Sequence, residues 1–457
     1  MGGKVPPIVN LMFVNRPLIL PIIGVLCAWL PARAQDAGSD PSPSSDPSAA
    51  RWSVHFQATS IGQHHGSFPS LYTGDNSLPS YAESRVSLTA TVFLTYRVNS
   101  WTELVVNPEI AGGKGFGQVT GIAGFPNGEI PRVGTATPTL YPARAYLKNA
   151  WGLCPATEAV KGGANQLRGR RPVCRFTLIT GRFAITDFFD NNTYSHDPRR
   201  QFMNWALMSN GAWDYPSDVR GYSVGSVQEL TMRGWSLRSA VVLEPTEANG
   251  ATYDTRVAKN RGVVAEGEKR YRPMGHAGAL RVLGFLNRER AGTFRDAMLP
   301  DGTTDLAATR RPGTKKYGFG LSVEQEIARD IGAFARYGWS DGKTESWAFT
   351  QIDRSVSGGI SLQGRIWKRT GDNIGVAAVR NYLTGDERRF LGAGGMEFLI
   401  GDGRLNYAPE SITEAYYAWH ASRDWTFTLD YQRVVNPAYN QDRGPVSVGT
   451  LRVHWER

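Results

Sequence analysis

The chain has 457 residues, 41% of them hydrophobic and 11% aromatic, with 51 glycines, 3 cysteines and a formal net charge of +10. That length suits two or three ordinary domains or one large barrel. Basic residues are scattered among acidic ones with no block of five like charges, a pattern that argues against a nucleic-acid-binding surface.

Residues 1–34 read as a secretory signal. Lys4 and Arg16 supply positive charge, Leu18 to Leu30 is a short apolar run, and Ala32-Arg33-Ala34 forms an A-x-A cleavage site. Cys27 lies in that run and is expected to leave with it. Residues 35–50 are rich in Pro, Ser and Asp, which cannot bury enough apolar surface to order themselves. Export puts Cys154 and Cys174 in an oxidising setting, where a disulfide between them would be a staple rather than a reaction centre.

From residue 51 to residue 457 the dominant signal is alternation. Trp52, Val54, Phe56 and Ala58 share one face opposite Ser53, His55, Gln57 and Thr59. Val86, Leu88, Ala90, Val92, Leu94 and Tyr96 oppose Arg85, Ser87, Thr89, Thr91, Thr95 and Arg97, interrupted by Phe93. The same period recurs at Trp235 to Leu243, Tyr317 to Glu324, Ala333 to Trp339, Ile360 to Ile366, Trp425 to Gln432 and Leu451 to Glu456. A period of two means strand.

Three features turn these strands into a membrane barrel. The apolar faces often begin or end in Tyr or Trp, the segments have the length of a tilted membrane-crossing strand, and the chain closes on a strand. Beyond the signal no apolar run is long enough for a helical span. The expected fold is therefore all-β, a transmembrane antiparallel β-barrel. About 400 ordered residues, divided among strands, short turns and longer loops, give roughly 16 strands.

The stretch from Asp187 to Gly225, DFFDNNTYSHDPRRQFMNWALMSNGAWDYPSDVRGYSVG, is too polar for a core and too aromatic for a plain connection. Together with VVNPEIAGGKGFG (105–117), GIAGFPNGEIPRVG (121–134), LITGRFAITDFF (178–189) and GPVSVGTLRVHWER (444–457), it closely resembles the carbohydrate-selective porin (OprB) family of Gram-negative outer membranes. The resemblance runs from about Ser53 to the end of the chain. It implies a 16-stranded barrel that admits glucose and related sugars by passive diffusion, with no cofactor. Implied partners are sugar solutes, outer-membrane lipid and lipopolysaccharide, the barrel-assembly machinery during insertion, and a second copy in a homo-oligomer. One departure stands out: an aromatic last residue is expected in such barrels, whereas here Trp455 is followed by Glu456 and Arg457.

Within this frame Arg85 and Glu109, the latter in the family-like NPE, are expected to face each other across a constriction and to offer fixed partners to hydroxyl groups. Trp205 and Trp213 offer flat faces to a sugar ring, and Asp187, Asp190, Asn192, Arg199 and Asn204 offer polar contacts. Selectivity would come from many weak contacts rather than one tight site. A general or anion-preferring porin is the alternative, although Arg85, Arg182, Arg199 and Arg200 are interspersed with Glu83, Glu109, Asp187 and Asp190.

Other motifs carry less. Gly221-Tyr222-Ser223-Val224-Gly225 matches the G-x-S-x-G nucleophile elbow of a hydrolase, but no helical pattern follows, so a bend or strand start is expected. Asp187, Asp190, Asn191, Asn192 and Asp197 are rich in oxygen, yet their spacing does not match a calcium loop. His64 and His65 stand without a zinc signature. Ala111 to Gly117 is glycine-rich but lacks the G-K-[ST] of a phosphate loop.

Overall fold

A strand whose apolar face meets lipid must match every backbone N–H and C=O to a neighbouring strand, and only a closed sheet does this for all of them. The computed structural model describes residues 50–129 and 136–457. The signal and nearly all of the Pro/Ser-rich segment lie outside the described residues. The strands are β1 (Trp52–His65), β2 (Glu83–Arg97), β3 (Thr102–Gly113), β4 (Thr139–Gly152), β5 (Thr157–Val160), β6 (Gly169–Pro172), β7 (Arg175–Phe183), β8 (Ser223–Met232) and β9 (Trp235–Val242). They continue as β10 (Arg261–Tyr271), β11 (Gly278–Glu289), β12 (Thr314–Ala328), β13 (Ile331–Ser340), β14 (Arg354–Gln363), β15 (Asn373–Tyr382), β16 (Glu410–His420), β17 (Trp425–Val435) and β18 (Val446–Glu456).

All but β5 and β6 pair antiparallel with their chain neighbours in a closed barrel of sixteen strands, sealed where β1 meets β18 from Gln57↔Glu456 to His65↔Val448. Among the described residues no helix is long and apolar enough to cross a membrane. β5 and β6 form a separate hairpin between β4 and β7. Cys154 and Cys174, at the base of that hairpin, are joined in a disulfide.

Burial is inverted relative to a soluble sheet. On β2 the threonines Thr89, Thr91 and Thr95 are buried, whereas Val86, Leu94 and Tyr96 are exposed to the surroundings of the barrel. The polar face points into the lumen and the apolar face outward, the arrangement that lipid requires. Trp52, Trp101, Trp151, Trp235 and Trp425 are exposed near the ends of strands. Such tryptophans suit the membrane interface, where an apolar ring and a polar edge are both satisfied.

The two ends of the barrel differ. At one end β8 and β9, like β12 and β13, are joined by two residues. At the other end lie long connections, among them residues 184–222 between β7 and β8 and residues 383–409 between β15 and β16. Short turns mark the periplasmic side of such barrels and long loops the outer side. The disulfide-closed hairpin therefore sits at the periplasmic end.

The buried apolar core lies inside the lumen. It is built largely from loops, including Phe116 and Phe125, Phe189, Phe202 and Trp213, Phe349 and Ile352, and Phe390 and Leu399. The wall is shaped to receive them. Gly320 and Gly338 pair across β12 and β13, and a Cβ on either would lie 2.0 Å from the Asn210 amide of the 184–222 loop. Only glycine leaves room for that approach.

Candidate functional site

Residues 184–222 fold inward because the wall satisfies their backbone. Buried N–H and C=O groups need partners, and here charged side chains of the strands provide them. Glu266 of β10 accepts from the Asp190 amide at 2.7 Å, Glu324 of β12 from the Thr193 amide at 2.7 Å, and Glu414 of β16 from the Met203 and Asn204 amides at 2.6 and 3.0 Å. Arginines serve the carbonyls. Arg336 of β13 donates to Leu207, and Arg452 of β18 donates to Pro198 and Gln201. The loop is thus tied to strands on several sides of the barrel and crosses the lumen.

Several residues expected to meet solute belong to this scaffold. Asp190 is buried and ion-paired with Arg336 at 3.0 Å. Asn192 is buried and donates to Ser322 at 3.2 Å. Asn204 caps the short helix α1 (Trp205–Met208) by accepting from the Ala206 amide, and it donates to Gln432 at 3.0 Å. Trp213 has no exposed surface and packs edge-on against Phe189 and Tyr215. Each of these polar groups is spent on holding the loop.

The expected pairing of Arg85 with Glu109 is replaced by another. Arg85 pairs with Glu83 on its own strand, two residues away and on the same face. Glu109 instead takes Arg199 of the inward loop, whose Nη2 lies 2.9 Å from Oε2. Arg199 Nε also pairs with Glu129 at 2.7 Å, so one guanidinium bridges two carboxylates. Hydroxyls complete the cluster: Tyr222, Thr91 and Tyr141 donate to Glu109, and Thr89 donates to Glu129 at 2.9 Å.

A cavity of about 110 Å³ opens beside this cluster. Polar groups line one side, with Glu109, Glu129, Arg199, Tyr141, Tyr222 and Arg220. Aromatic faces line the other, where Trp205 stacks on Phe349 at 5.6 Å between centroids and Tyr215 lies 4.1 Å from the same ring. Trp205 is held in place by its indole N–H, which donates to the Asn127 carbonyl at 2.9 Å. The guanidinium of Arg220 lies 4.0 Å over the Tyr141 ring. Asp187, on the same inward loop but outside the cavity lining, is bound by Arg144 of β4 through two bonds of 2.6 Å.

Electrostatics hold Arg199 charged while burial works against the charge of Glu129. Burial opposes the charge on Arg199, but Glu129 and Glu109 more than offset it and its pKa stands well above the ordinary value. Burial pushes the Glu129 carboxyl up, with Arg199 opposing and Glu109 reinforcing the shift. Burial and then Glu109 push the Tyr222 phenol up, so it remains a donor. Glu129, Tyr141, Arg144, Tyr215, Tyr222 and Phe349 were not anticipated from sequence. Tyr222 stands inside the Asp187–Gly225 stretch, and Glu129 inside one of the family-like segments. Their convergence depends on loop geometry.

The remaining motifs are absorbed by the fold. Ser223 opens β8, is buried, and donates to the Pro216 carbonyl at 2.5 Å. Asp187, Asp190 and Asn192 have the separate partners described above, and Asp197 accepts from the Arg199 amide. Among the described residues no group of three or more His, Cys, Asp or Glu is arranged to hold a metal ion.

Comparison with known proteins agrees with this architecture. The high-pH structure of Pseudomonas putida OprB is similar with a TM-score of 0.65 at 13% sequence identity, covering 89% of this chain and 94% of that one. The low-pH structure of the same protein aligns with a TM-score of 0.48 at 10% identity, covering 89% and 92%. No match is found among curated proteins. The family description "Carbohydrate-selective porin, OprB family" matches residues 102–456. The chain belongs to the carbohydrate-selective porin, OprB, family.

Proposed function

We propose that solute is selected at the cavity bounded by Glu109, Glu129, Arg199, Tyr141 and Tyr222 on one side and Trp205, Tyr215 and Phe349 on the other. As a member of its family the protein is an outer-membrane porin for carbohydrates. The observation that carries the reading is the apposition of fixed, charge-supported hydroxyl and guanidinium groups to an aromatic shelf. A pyranose presents a rim of hydroxyls and an apolar C–H face, and these match the two sides of the cavity.

The mechanism is exchange. A sugar gives up hydrogen bonds to water and takes similar ones from Tyr222, Arg199 or Arg220, so the net change per bond is about 1 kcal/mol. Weak sites speed passage, because a solute that binds tightly does not leave. Glucose and related monosaccharides fit this chemistry, and movement follows the concentration gradient without an energy source.

The interspersed charges disfavour a strong anion filter at this point. Arg199 is matched by two carboxylates and Arg144 by Asp187. Liposome swelling tests the proposal. Glucose should permeate faster than amino acids of similar size, and equal rates would sink the selectivity.

A further inference from the structure

A second cavity, toward the periplasmic end of the barrel, has a different chemistry from the first. Residues 153–174 leave the barrel at the periplasmic end, and the β5–β6 hairpin turns back beneath the wall. Its tip is anchored inside the barrel, where Asn107 of β3 donates to Asn165 at 2.8 Å. Leu167, near the tip, is buried. The disulfide between Cys154 and Cys174 closes the base of the excursion.

Between the hairpin and the lumenal faces of β3, β4 and β7 lies a vestibule of about 220 Å³, with Phe188 of the inward loop in its lining. Along β4, Arg144 and its partner Asp187 stand between Tyr141, which lines the upper cavity, and Lys148, which lines this one.

Its charge is unbalanced. Lys148 and Arg97 both approach Glu103, at 3.2 and 3.7 Å. Arg171 and Arg175 share Glu158 at 2.7 and 3.6 Å. Arg175 also approaches Glu229 at 3.8 Å, but that carboxylate is held more closely by Arg238 at 2.6 Å. Arg170 bonds only the oxygens of Thr157, and among the described residues no carboxylate pairs with it. The upper cluster has two carboxylates, Glu109 and Glu129, for Arg199, whereas here, among the described residues and leaving Arg97 aside, Lys148, Arg170, Arg171 and Arg175 outnumber Glu103, Glu158 and Glu229.

We propose that the vestibule is a second solute subsite, selecting monosaccharides that carry a carboxylate. The inference rests on the reading of the upper cavity as the sugar-selecting site, since it concerns what a sugar meets after that site. Arg170 supplies the charge, and it sits on a hairpin fixed by Asn165 and the disulfide rather than on a mobile turn. A carboxylate there is drawn from the upper cavity toward the periplasm. Exposure to water keeps the attraction weak enough for release, as screened surface charges are worth little individually.

The test is paired flux of glucose and glucuronate, two hexoses of the same size that differ by a carboxylate, through the full mature porin in liposomes. Arg170→Gln should lower glucuronate permeation by about threefold, the scale of one screened charge contact, and leave glucose flux unchanged. Arg170→Glu should lower it further, and raising the salt concentration should shrink both effects. The proposal is overturned if glucuronate flux is unchanged in both variants, if glucose falls in parallel, or if the wild-type protein excludes glucuronate. Failure of the upper site has a different signature, namely wild-type glucose flux no faster than that of amino acids of similar size.

Discussion

Arg199 on the inward loop bridges Glu109 on β3 and Glu129 on the neighbouring loop, at 2.9 and 2.7 Å. One cation thus joins the wall of the barrel to two loops within its lumen. Arg199→Gln leaves two buried carboxylates with their hydroxyl donors but without their shared cation, and breaking a buried pair costs about 3–5 kcal/mol. Reversal potentials across planar bilayers should shift toward cations, and the melting temperature should fall. Unchanged ion selectivity would separate Arg199 from the permeation path.

The two tryptophans should behave differently. Trp205 faces the cavity, whereas Trp213 is fully enclosed by the loop core. Trp213→Ala should destabilise the inward loop by about 3–5 kcal/mol, as expected for deleting a buried aromatic ring. Trp205→Leu should keep the loop folded but reduce the preference for glucose over amino acids of similar size. Thermal unfolding and liposome swelling on both variants read the difference, and loss of sugar preference without loss of stability in the Trp213 variant would contradict it.

The loop between β15 and β16 carries a pH response. It contains helix α2 (Gly385–Gly392), in which Glu387 is buried near Glu397. Burial raises the pKa of Glu397 to about 7, with Glu387 and Lys316 opposing and Glu345 and Asp353 reinforcing. Burial, then Asp353 and Glu397, push Glu387 well above its ordinary value. A carboxyl with a raised folded-state pKa favours folding most below its unfolded pKa of about 4.3, and that contribution is lost as pH rises through the folded value. The melting temperature should therefore fall between about pH 5 and pH 8, and Glu397→Gln should flatten the decline. An unaltered pH profile in that variant would contradict the assignment.

Removing the staple should loosen one hairpin only. The disulfide spans a sequence separation of 20 residues. Closing a loop of that size restricts the unfolded segment by about 3 kcal/mol. Reduced protein, or Cys154→Ser with Cys174→Ser, should become sensitive to trypsin at Arg168 and Arg170 while the barrel resists. Mass spectrometry of the fragments locates the cut. Equal resistance in both forms would mean that Asn165 and Leu167 hold the hairpin unaided.

The barrel was legible in the sequence because lipid enforces a strict period. Val86 to Tyr96 could not alternate for so long with Arg85 to Arg97 unless the two faces met different surroundings, and the strand count follows from length. The inward course of residues 184–222 was less legible. Asp190, Asn192 and Asn204 have the composition of a binding surface, yet they bond to Arg336, Ser322 and Gln432, which are remote in sequence. A polar residue that meets solute and one that satisfies a buried backbone look alike in one dimension.

The partner of Arg85 is illegible in the sequence for the same reason. Alternation places Arg85 on the polar face of β2, but Glu83 shares that face two residues away and is its partner. Glu109 was recognisable from the NPE segment, while its cation came from Arg199, brought from another loop by the Arg452 bonds to Pro198 and Gln201. Local alternation reports which way a side chain points. It does not report what the opposite wall or an inserted loop brings to meet it.

The most direct test of the central claim is single-channel current in the presence of glucose, recorded for the wild-type protein and for Glu109→Gln. Solute dwelling in the cavity beside Glu109 and Arg199 should interrupt the wild-type current in a concentration-dependent manner, and the substitution should shorten or abolish those interruptions while the open-channel current persists. Interruptions of the same frequency and duration in both proteins would place sugar selection elsewhere in the lumen.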